Sequence, residues 1–242
     1  MADLTDLTIL IAGASSASGV AAAHALCRAG ATVLAAGSNA QRLEQRLPFV
    51  HGRYEVDLAN HAAVTELHAL IDTERGPIDG LLHLVGGWRG GKGLAGQSDD
   101  DAEFLHTQVV TTLRNTTRVF RDDLVASRCG RVAIVSATAV DSPTGSNANY
   151  TTAKAGAEAW MRSVAAELRT AQSGSKADPV PQRAAALTWV IKAFTDADSR
   201  EAHPERNTAG FTDVTALGQA AVDLFTADAS AINGARIHLP SL

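Results

Sequence analysis

The sequence predicts an α/β fold in a single domain: a doubly wound parallel sheet of about seven strands with helices on both faces. Three observations carry this prediction. Short apolar runs of strand length alternate with longer helical stretches along the whole 242-residue chain. The short runs are apolar on both faces, as buried parallel strands are. No internal repeat or linker divides the chain, so strand–helix–strand units with right-handed crossovers would wind one continuous sheet.

Each predicted element follows from its local pattern. Seven apolar runs predict strands at 8–12, 31–36, 49–56, 80–85, 131–136, 184–191 and 235–239. Helical spacing of apolar residues predicts helices at 19–29, 40–46, 62–74, 100–127, 149–171 and 214–226. The polar stretch 173–182 contains two prolines and predicts an exposed loop. Residues 192–213 are charged and too long for an ordinary connection, so we expect a mobile substrate loop there.

Composition narrows the possible classes of protein. With 45% hydrophobic and 19% charged residues, the chain is not of the disordered type. A net charge of -5 without a Lys/Arg run argues against nucleic acid as a partner. No apolar stretch reaches the ~18 residues that span a membrane, and the first residues lack a signal-peptide pattern. Because Cys27 and Cys129 also suit a reducing compartment, we expect a cytoplasmic protein with residues 1–242 in one domain.

A turn rich in glycine and serine follows the first predicted strand. Gly13 would form the tight turn, and Gly19 would let the following helix pack close to the strand. The backbone N–H groups around Ser15, Ser16 and Ser18, together with the helix dipole, favour a phosphate or pyrophosphate. An ordinary strand-to-helix turn also favours Gly and Ser, so the glycines alone leave both interpretations open.

Polar side chains follow the second strand, where the adenosine ribose of a dinucleotide would lie. An Asp or Glu there would hold the ribose diol and repel a 2′-phosphate. The sequence has Ser38, Asn39 and Arg42 instead, which favours NADP over NAD, although Arg42 could equally be a solvated helix residue. After the third strand, Asp57 precedes Leu58. Asp57 could accept a hydrogen bond from an adenine amino group, or it could cap the next helix.

Tyr150 and Lys154 open the helix predicted at 149–171 and lie four residues apart, on one face. A nearby ammonium favours the phenolate and would lower the tyrosine pKa from its reference of ~10. Such a tyrosine can give a proton to a carbonyl oxygen or take one from a hydroxyl. A partly buried tyrosine near a lysine is common, but the position after a strand ending at Val135 and Ser136 favours the catalytic interpretation.

Together these motifs resemble the short-chain dehydrogenase/reductase family over nearly the whole chain. In chain order they are Gly13 to Gly19, Asp57, Gly86 with Gly87, and Tyr150 with Lys154. The resemblance implies a Rossmann-like domain, an NAD(P) cofactor, and hydride transfer between a small-molecule alcohol and carbonyl. It implies that Tyr150 is the general acid/base, and that Lys154 binds the nicotinamide ribose and lowers the tyrosine pKa. It also implies a homodimer or homotetramer paired through the helices at 100–127 and 149–171.

Some departures from the family pattern concern the cofactor motifs. Ala17 replaces the middle glycine of the nucleotide turn. Residues 84–87 read Leu-Val-Gly-Gly where the family has Asn-Asn-Ala-Gly. The Pro-Gly pair expected after the sixth strand is replaced within the Thr-Trp-Val-Ile-Lys sequence at 188–192. The backbone approach to the cofactor would therefore differ in detail.

Other departures concern catalysis. By ungapped spacing from Tyr150, the catalytic serine of the family falls at Ala137. Ser136 and Thr138 flank it, and we expect Thr138 to be the better substitute because the strand ends there. Gln108 stands where the family carries the Asn of a proton relay, with its amide one methylene further out. Loss of a hydroxyl that stabilises the reacting oxygen costs ~10²–10³ in rate.

Three functional hypotheses follow from the sequence. The first is an NAD(P)-dependent oxidoreductase. The second is an NAD(P)-binding sensor or scaffold with weakened catalysis, favoured by the missing serine and opposed by the intact Tyr150 and Lys154. The third is an enzyme of the same fold with another reaction class, such as a lyase or dehalogenase. We expect no metal site, because the eight histidines are scattered without convincing ligand spacing.

Overall fold

The computed structural model describes residues 2–175 and 177–242 and contains the predicted parallel sheet. Its seven strands are β1 (Thr8–Ala12), β2 (Thr32–Gly37), β3 (Gly52–Glu55), β4 (Gly80–His83), β5 (Arg131–Ala137), β6 (Ala185–Ile191) and β9 (Arg236–His238). Two short strands, β7 (Phe194–Thr195) and β8 (Thr212–Asp213), pair with each other outside it. The predicted fold class is confirmed, and each predicted strand lies within a few residues of its expected bounds.

The order of the strands decides where a ligand can bind. It is β3-β2-β1-β4-β5-β6-β9, and each neighbouring pair is parallel. The chain winds from β1 outward to β3, and then returns to β4 and winds the other way to β9. At this reversal between β1 and β4, the connections leave towards opposite faces of the sheet and open a crevice at the carboxyl ends of the strands.

Several helices begin after a serine or asparagine residue, whose side chain is well suited to cap a helix N-terminus. The helices are α1 (Ala17–Arg28), α2 (Ala40–Arg46), α3 (His61–Arg75), α4 (Asp99–His106), α5 (Thr112–Val119), α6 (Arg121–Ala126), α7 (Ala148–Gln172), α8 (Ala197–Ala202), α9 (Val214–Thr226) and α10 (Ala229–Ile232). Side chains of Ser16, Asn39 and Asn60 accept N–H bonds at the starts of α1, α2 and α3. Within the described ranges, no helix is both long and apolar enough to cross a bilayer.

Both faces of the sheet are buried, which explains why the strands are apolar throughout. Successive side chains of β1 alternate between the two faces. Leu10 packs in a cluster that includes Met161 of α7, whereas Ile9 and Ile11 pack in the opposite cluster with Leu26 of α1. All three strand residues are fully buried. The sheet is therefore a rigid central layer from which the loops at its carboxyl edge project.

The prediction of one helix at 100–127 is wrong in its continuity. After α4, the backbone forms a π-helical turn at Thr107–Thr111 before α5 begins, and Phe120 separates α5 from α6. The Thr112 hydroxyl donates to the Gln108 carbonyl at 2.7 Å, and the Thr117 hydroxyl donates to the Leu113 carbonyl at 2.7 Å. Such side-chain bonds compete with backbone hydrogen bonds and loosen a helix. The threonines of this segment therefore account for an irregularity that apolar spacing does not reveal.

The segment 192–213 is more ordered than predicted, because it contains β7, α8 and β8. Asp196 caps α8 by accepting the Ser199 N–H at 2.6 Å, and Arg200 pairs with Asp213 at 2.6 Å. These polar interactions replace the apolar contacts that the sequence lacks here. In the described part of the predicted loop 173–182, Gly174 and Pro179 form a single antiparallel bridge.

Candidate active site

The turn between β1 and α1 is built around two glycines. Gly13 has a φ of +78°, and an added Cβ would lie 2.9 Å from backbone atoms of Leu84 and Val85. A Cβ on Gly19 would lie 2.4 Å from the Ala14 carbonyl oxygen. These close approaches, and not turn propensity alone, require glycine at both positions.

Ser16 fixes the start of α1. Its hydroxyl accepts the Gly19 N–H at 3.0 Å and donates to the Gly13 carbonyl at 3.0 Å, with the Ser18 hydroxyl 3.1 Å away. The first turn of α1 holds no acidic residue. The positive end of the helix dipole is therefore not compensated by a carboxylate of that turn, and it suits an anion.

A cavity of about 220 Å³ lies over this turn. It brings together predicted cofactor and relay residues from separate loops: Gly13, Ser15, Ser16, Ser38, Arg42, Asp57, Leu58, Gly86 and Gln108. Asn39 lies outside the lining and caps α2 by accepting the Arg42 N–H at 2.8 Å. Because Gly13 has no side chain, a ligand can approach its backbone closely. The N-terminus of α1 and the Arg42 guanidinium add positive charge. Together these features fit the phosphates of a dinucleotide. The residues present therefore suit an NAD(P)-type dinucleotide.

The carboxylate of Asp57 belongs to the wall of this cavity and does not cap α3, so the capping alternative is wrong. The cap is Asn60, whose side-chain oxygen accepts the N–H groups of Ala62 at 3.0 Å and Ala63 at 3.3 Å. Asp57 instead accepts the Ala59 N–H at 2.9 Å in a local turn. This bond orients the carboxylate without removing it from the cavity lining.

A larger cavity of about 650 Å³ shares Ser16 and Gly86 with the first, so the two are neighbours. Its lining adds five predicted site residues, namely Ser18, Gly87, Ser136, Tyr150 and Lys154. Trp88 also lines this cavity and is 65% exposed. The nucleotide turn and the tyrosine–lysine pair thus border one continuous region at the carboxyl edge of the sheet.

Helix α7 carries Tyr150 and Lys154 into this cavity on one face. The Lys154 ammonium is buried, donates to the Val135 carbonyl at 2.8 Å, and lies 5.9 Å from the centroid of the Tyr150 ring. Burial lowers the pKa of Lys154 to about 8, against the opposing charge of Glu158 one turn along the helix. The lysine is thus still mostly protonated at neutral pH.

The pKa of Tyr150 moves in the direction opposite to the prediction. Burial raises it above its ordinary value of 10.0, and Lys154 does not lower it in this arrangement. The physical reason is that Lys154 directs its ammonium to Val135, while the phenol is removed from water. Tyr150 is therefore a neutral phenol at physiological pH.

The two candidate substitutes for the missing serine have different surroundings. Ser136 lines the larger cavity, but its hydroxyl donates to the Glu158 carboxylate at 2.5 Å. A hydroxyl has one proton, so Ser136 has none left for a substrate oxygen. Thr138, the preferred candidate, begins a 3-10 turn after β5 and is not among the residues that line the cavity. In this structure neither hydroxyl is placed as a donor beside Tyr150.

Gln108 lies in the π-helical turn and lines the smaller cavity, not the one that contains Lys154. Its carbonyl accepts the Thr112 hydroxyl, and its side chain has no hydrogen-bond partner among the described residues. Gln108 and Lys154 therefore line neighbouring cavities, and no hydrogen bond joins their side chains among the described residues.

His83 was missed as a site residue because the sequence treated the histidines as scattered. It ends β4, lines the larger cavity and is almost fully buried. Its ring nitrogens lie 3.1 Å from the Thr112 hydroxyl and 3.2 Å from the Thr116 hydroxyl. Burial lowers its pKa to about 3, so the ring is neutral. Its place at the carboxyl end of a central strand is the signal that could have identified it.

Three basic residues near the site were also missed. Arg46 of α2 donates to the Ser15 carbonyl at 2.7 Å and so supports the nucleotide turn. Lys192 and Arg206, both from the segment 192–213, line the larger cavity. No group of three His, Cys, Asp or Glu able to hold a metal ion occurs within residues 2–175 and 177–242.

Comparisons with known proteins agree with this architecture. A protein of Bacillus subtilis (strain 168), 2,3-dihydro-2,3-dihydroxybenzoate dehydrogenase, is 30% identical over 164 residues. The match covers 65% of this chain and 62% of that protein, which is less than two thirds of its length. A short chain oxidoreductase of Pseudomonas aeruginosa PAO1, described as containing an atypical catalytic center and bound to NADPH, has a TM-score of 0.82 at 17% identity, covering 98% of this chain and 96% of that one.

A second solved structure is gluconate 5-dehydrogenase from Burkholderia cenocepacia J2315, in complex with NADP and tartrate. Its TM-score is 0.76 at 20% identity, and the match covers 98% of this chain and 94% of that one. At such identities the two structures establish the fold. The sequence itself matches the family model for short chain dehydrogenases over residues 7–172. That match runs from β1 to the end of α7 and includes both the nucleotide turn and the Tyr150–Lys154 pair, and we conclude that the chain belongs to the short-chain dehydrogenase/reductase family of oxidoreductases.

Proposed function

We propose that the protein is an NADP(H)-dependent oxidoreductase that interconverts a small or medium-sized carbonyl compound and its alcohol, with Tyr150 as general acid/base. The observation that carries this proposal is the half-buried Tyr150 beside the buried Lys154, both facing a cavity that adjoins the α1 N-terminus. The name of the B. subtilis relative and the NADPH and NADP bound in the two solved structures support it.

The cofactor would be held by the residues of the smaller cavity. The backbone at Gly13, Ser15 and Ser16 suits the pyrophosphate, because it presents N–H groups at the start of a helix. Ser38 and Arg42 would bind the 2′-phosphate of NADP. When bound, NADPH supplies a hydride, and the oxidised form accepts one.

In the reducing direction, the Tyr150 hydroxyl gives its proton to the carbonyl oxygen of the substrate, and it takes a proton back during oxidation. Its raised pKa keeps the proton in place until the oxygen gains negative charge. Lys154 has three N–H donors, of which one is used by Val135. The other two can hold a ribose hydroxyl.

The missing hydroxyl donor predicts slow turnover. Ser136 is bonded to Glu158, and Thr138 lies outside the cavity lining. Without a second donor to the developing oxyanion, we expect a rate about 10²–10³ below that of a site that has one. The oxyanion would then depend on Tyr150 and on the field of Lys154.

Replacement of Tyr150 by phenylalanine tests the proposal. Tyr150→Phe should bind NADPH as the wild type does and should lose about 10²–10⁴ in kcat with any carbonyl substrate that the wild type reduces. Tyr54→Phe is the matched control, because Tyr54 is the only other tyrosine, and its hydroxyl bonds Glu74 outside both cavities. Full activity of Tyr150→Phe would overturn the assignment of the general acid.

Fluorescence titration with NADPH and with NADH tests the cofactor. We expect tighter binding of NADPH, and Arg42→Met should reduce that preference while leaving NADH binding unchanged. The carboxylate of Glu55 accepts the Ala40 N–H at 3.3 Å, and Glu55 lies outside the cavity lining. Glu55 should therefore not reverse the preference for NADPH. Preference for NADH would overturn the choice of NADP. Binding of neither would overturn the dehydrogenase proposal, whereas binding without any turnover would favour a sensor or scaffold.

Assembly, domain organisation and location form part of the same proposal. A groove of about 440 Å³, lined in part by Thr117, Trp160 and Leu168, runs along α5, α6 and α7. We propose that these helices pair two copies in a homodimer or homotetramer, which light scattering would test. We further propose that residues 1–242 act as one domain in which 192–213 closes over the substrate, in a cytoplasmic protein whose Cys27 and Cys129 stay reduced.

A further inference from the structure

The larger cavity carries a positive charge that the proposed chemistry does not use. Its ionisable lining residues are His83, Tyr150, Lys154, Lys192 and Arg206. His83 is neutral, since its pKa is about 3, and Tyr150 is a neutral phenol. No Asp or Glu is among the lining residues. The cavity that faces the candidate acid/base therefore presents cations without carboxylates.

Lys192 and Arg206 are held in place without a neutralising partner. Lys192 donates to the Ala209 carbonyl at 3.1 Å and lies 5.5 Å from the centroid of the Phe211 ring. Arg206 lies 5.2 Å from the centroid of the same ring. Neither forms an ion pair with a carboxylate in the part of the chain that the structure describes. Phe211 therefore positions two cations beside one cavity by cation–π contact and leaves their charge available.

Three other cations near the carboxyl edge of the sheet are neutralised. Arg89 pairs with Asp101 at 3.5 Å, Arg200 with Asp213 at 2.6 Å, and Arg236 with both Asp141 and Glu158. Lys192 and Arg206, which line the larger cavity, have no such carboxylate partner among the described residues. A charge left uncompensated at a cavity mouth attracts ligands of the opposite sign.

We propose that the substrate carries an anionic group, a carboxylate or a phosphate ester, which Arg206 and Lys192 bind while the reacting carbon faces Tyr150. The part of this inference that concerns the reaction at Tyr150 rests on the proposed function. The part that concerns anion binding by Arg206 and Lys192 does not. The alternative target of the two cations is the pyrophosphate of the cofactor, because Ser16 and Ser18 line the same cavity. The two targets can be distinguished by a variant that removes the charge. If the cations bind the substrate, the variant loses substrate affinity; if they bind the pyrophosphate, it loses cofactor affinity.

The test compares substrates that differ only in charge. Oxo acids of increasing length are assayed against their methyl esters, and hydroxyketone phosphates against the free hydroxyketones. The wild type should show a kcat/KM at least tenfold higher for the charged member of a pair. Arg206→Met should lower kcat/KM for that member about 10- to 100-fold, mostly through KM, while the neutral member changes less than about twofold. Lys192→Met should act in the same direction. Whether the acids or the phosphates are preferred identifies the source of the charge.

Two measurements keep the inference separate from the proposed reaction. The first is the Kd for NADPH, which should change less than about twofold in Arg206→Met. The second is the fluorescence of Trp88, the exposed tryptophan of the cavity, during titration with benzoylformate and with its methyl ester. The acid alone should change the emission, and Arg206→Met should weaken that binding even if the protein reduces nothing.

The matched control is Arg128→Met. Arg128 is exposed and precedes β5, so it lies at the opposite edge of the sheet from the cavity. The Arg128→Met variant should bind benzoylformate and NADPH as the wild type does. Equal handling of acids and esters would overturn the inference, as would an equal loss of NADPH and acid affinity in Arg206→Met. Absence of benzoylformate binding up to about 10 mM, together with no preference for a charged substrate, would also overturn it.

Discussion

Replacing Lys154 by methionine should stabilise the protein while weakening the NADPH binding proposed above. The ammonium is buried, and its pKa falls from 10.5 to about 8 because burial disfavours the charged form. At ~1.36 kcal/mol per pKa unit, the charge at pH 7 costs about 3 kcal/mol of folding free energy. Methionine removes that cost but also the bond to the Val135 carbonyl and the attraction to Glu158. We expect Lys154→Met to be about 1–2 kcal/mol more stable than the wild type at pH 7.

The pH dependence identifies the cause of this difference. The folded lysine releases its proton near pH 8 and the unfolded lysine near 10.5, so the unfolded state binds more protons within that window. Wild-type stability therefore rises with pH through the window, relative to the variant. Between pH 7 and pH 9.5 the advantage of Lys154→Met should shrink by about 2 kcal/mol, and it should vanish or reverse.

Urea unfolding of both proteins at the two pH values measures these differences, and NADPH titration measures the damage to the site. Lys92→Met is the control, because Lys92 is an exposed lysine outside both cavities and should show no pH-dependent difference from the wild type. NADPH binding to Lys154→Met should weaken at least tenfold. A variant that is less stable at pH 7, or whose stability difference is the same at pH 9.5, would refute the assignment of a buried, charge-penalised lysine.

Two further predictions concern the architecture that supports the site. Gly19→Ala places a Cβ 2.4 Å from the Ala14 carbonyl oxygen, so it should cost about 1–3 kcal/mol in urea unfolding and weaken NADPH binding. Gly156→Ala, whose Cβ would have 3.7 Å of room in α7, should be neutral or stabilising. Arg131 is buried and donates to four backbone carbonyls, so Arg131→Met should cost about 3–5 kcal/mol, and an equal loss in the exposed Arg128→Met would contradict this account.

The sheet could be predicted because its strands are buried on both faces and follow one another with regular helical connections. The strand Thr8–Ala12 and the helices Ala40–Arg46 and Val214–Thr226 have their predicted bounds. The errors occur where polar side chains decide the backbone. Threonine hydroxyls bond the carbonyls of the preceding turn near Thr107–Thr111, and Asp196 with Arg200 orders part of the segment 192–213. Apolar periodicity contains no information about such bonds.

Most of the residues that line the smaller cavity could be predicted for a related reason. They come from loops at the carboxyl ends of strands, and that position follows from the topology alone. The hydrogen bond between Ser136 and Glu158 could not be predicted, because the two residues are 22 positions apart in sequence. Arg236, which binds Glu158, is 78 residues further along the chain. Lys192 and Arg206 were missed because a charged segment without apolar pattern gives no sign of which of its side chains face inward.

The same contacts explain how a charged lysine can be buried beside the larger cavity. Behind Lys154, a row of alternating charges leads to the surface: the Glu158 side chain is 7% exposed, that of Arg236 29% and that of Asp141 53%. Arg236 bonds Glu158 at 3.1 Å and Asp141 at 2.8 Å, and the row as a whole is neutral. The Ser136 hydroxyl completes the solvation of Glu158. A serine adjacent to the position of the family's catalytic hydroxyl therefore stabilises the counter-charge of the lysine, and the proposed mechanism relies on Tyr150 alone as the proton donor.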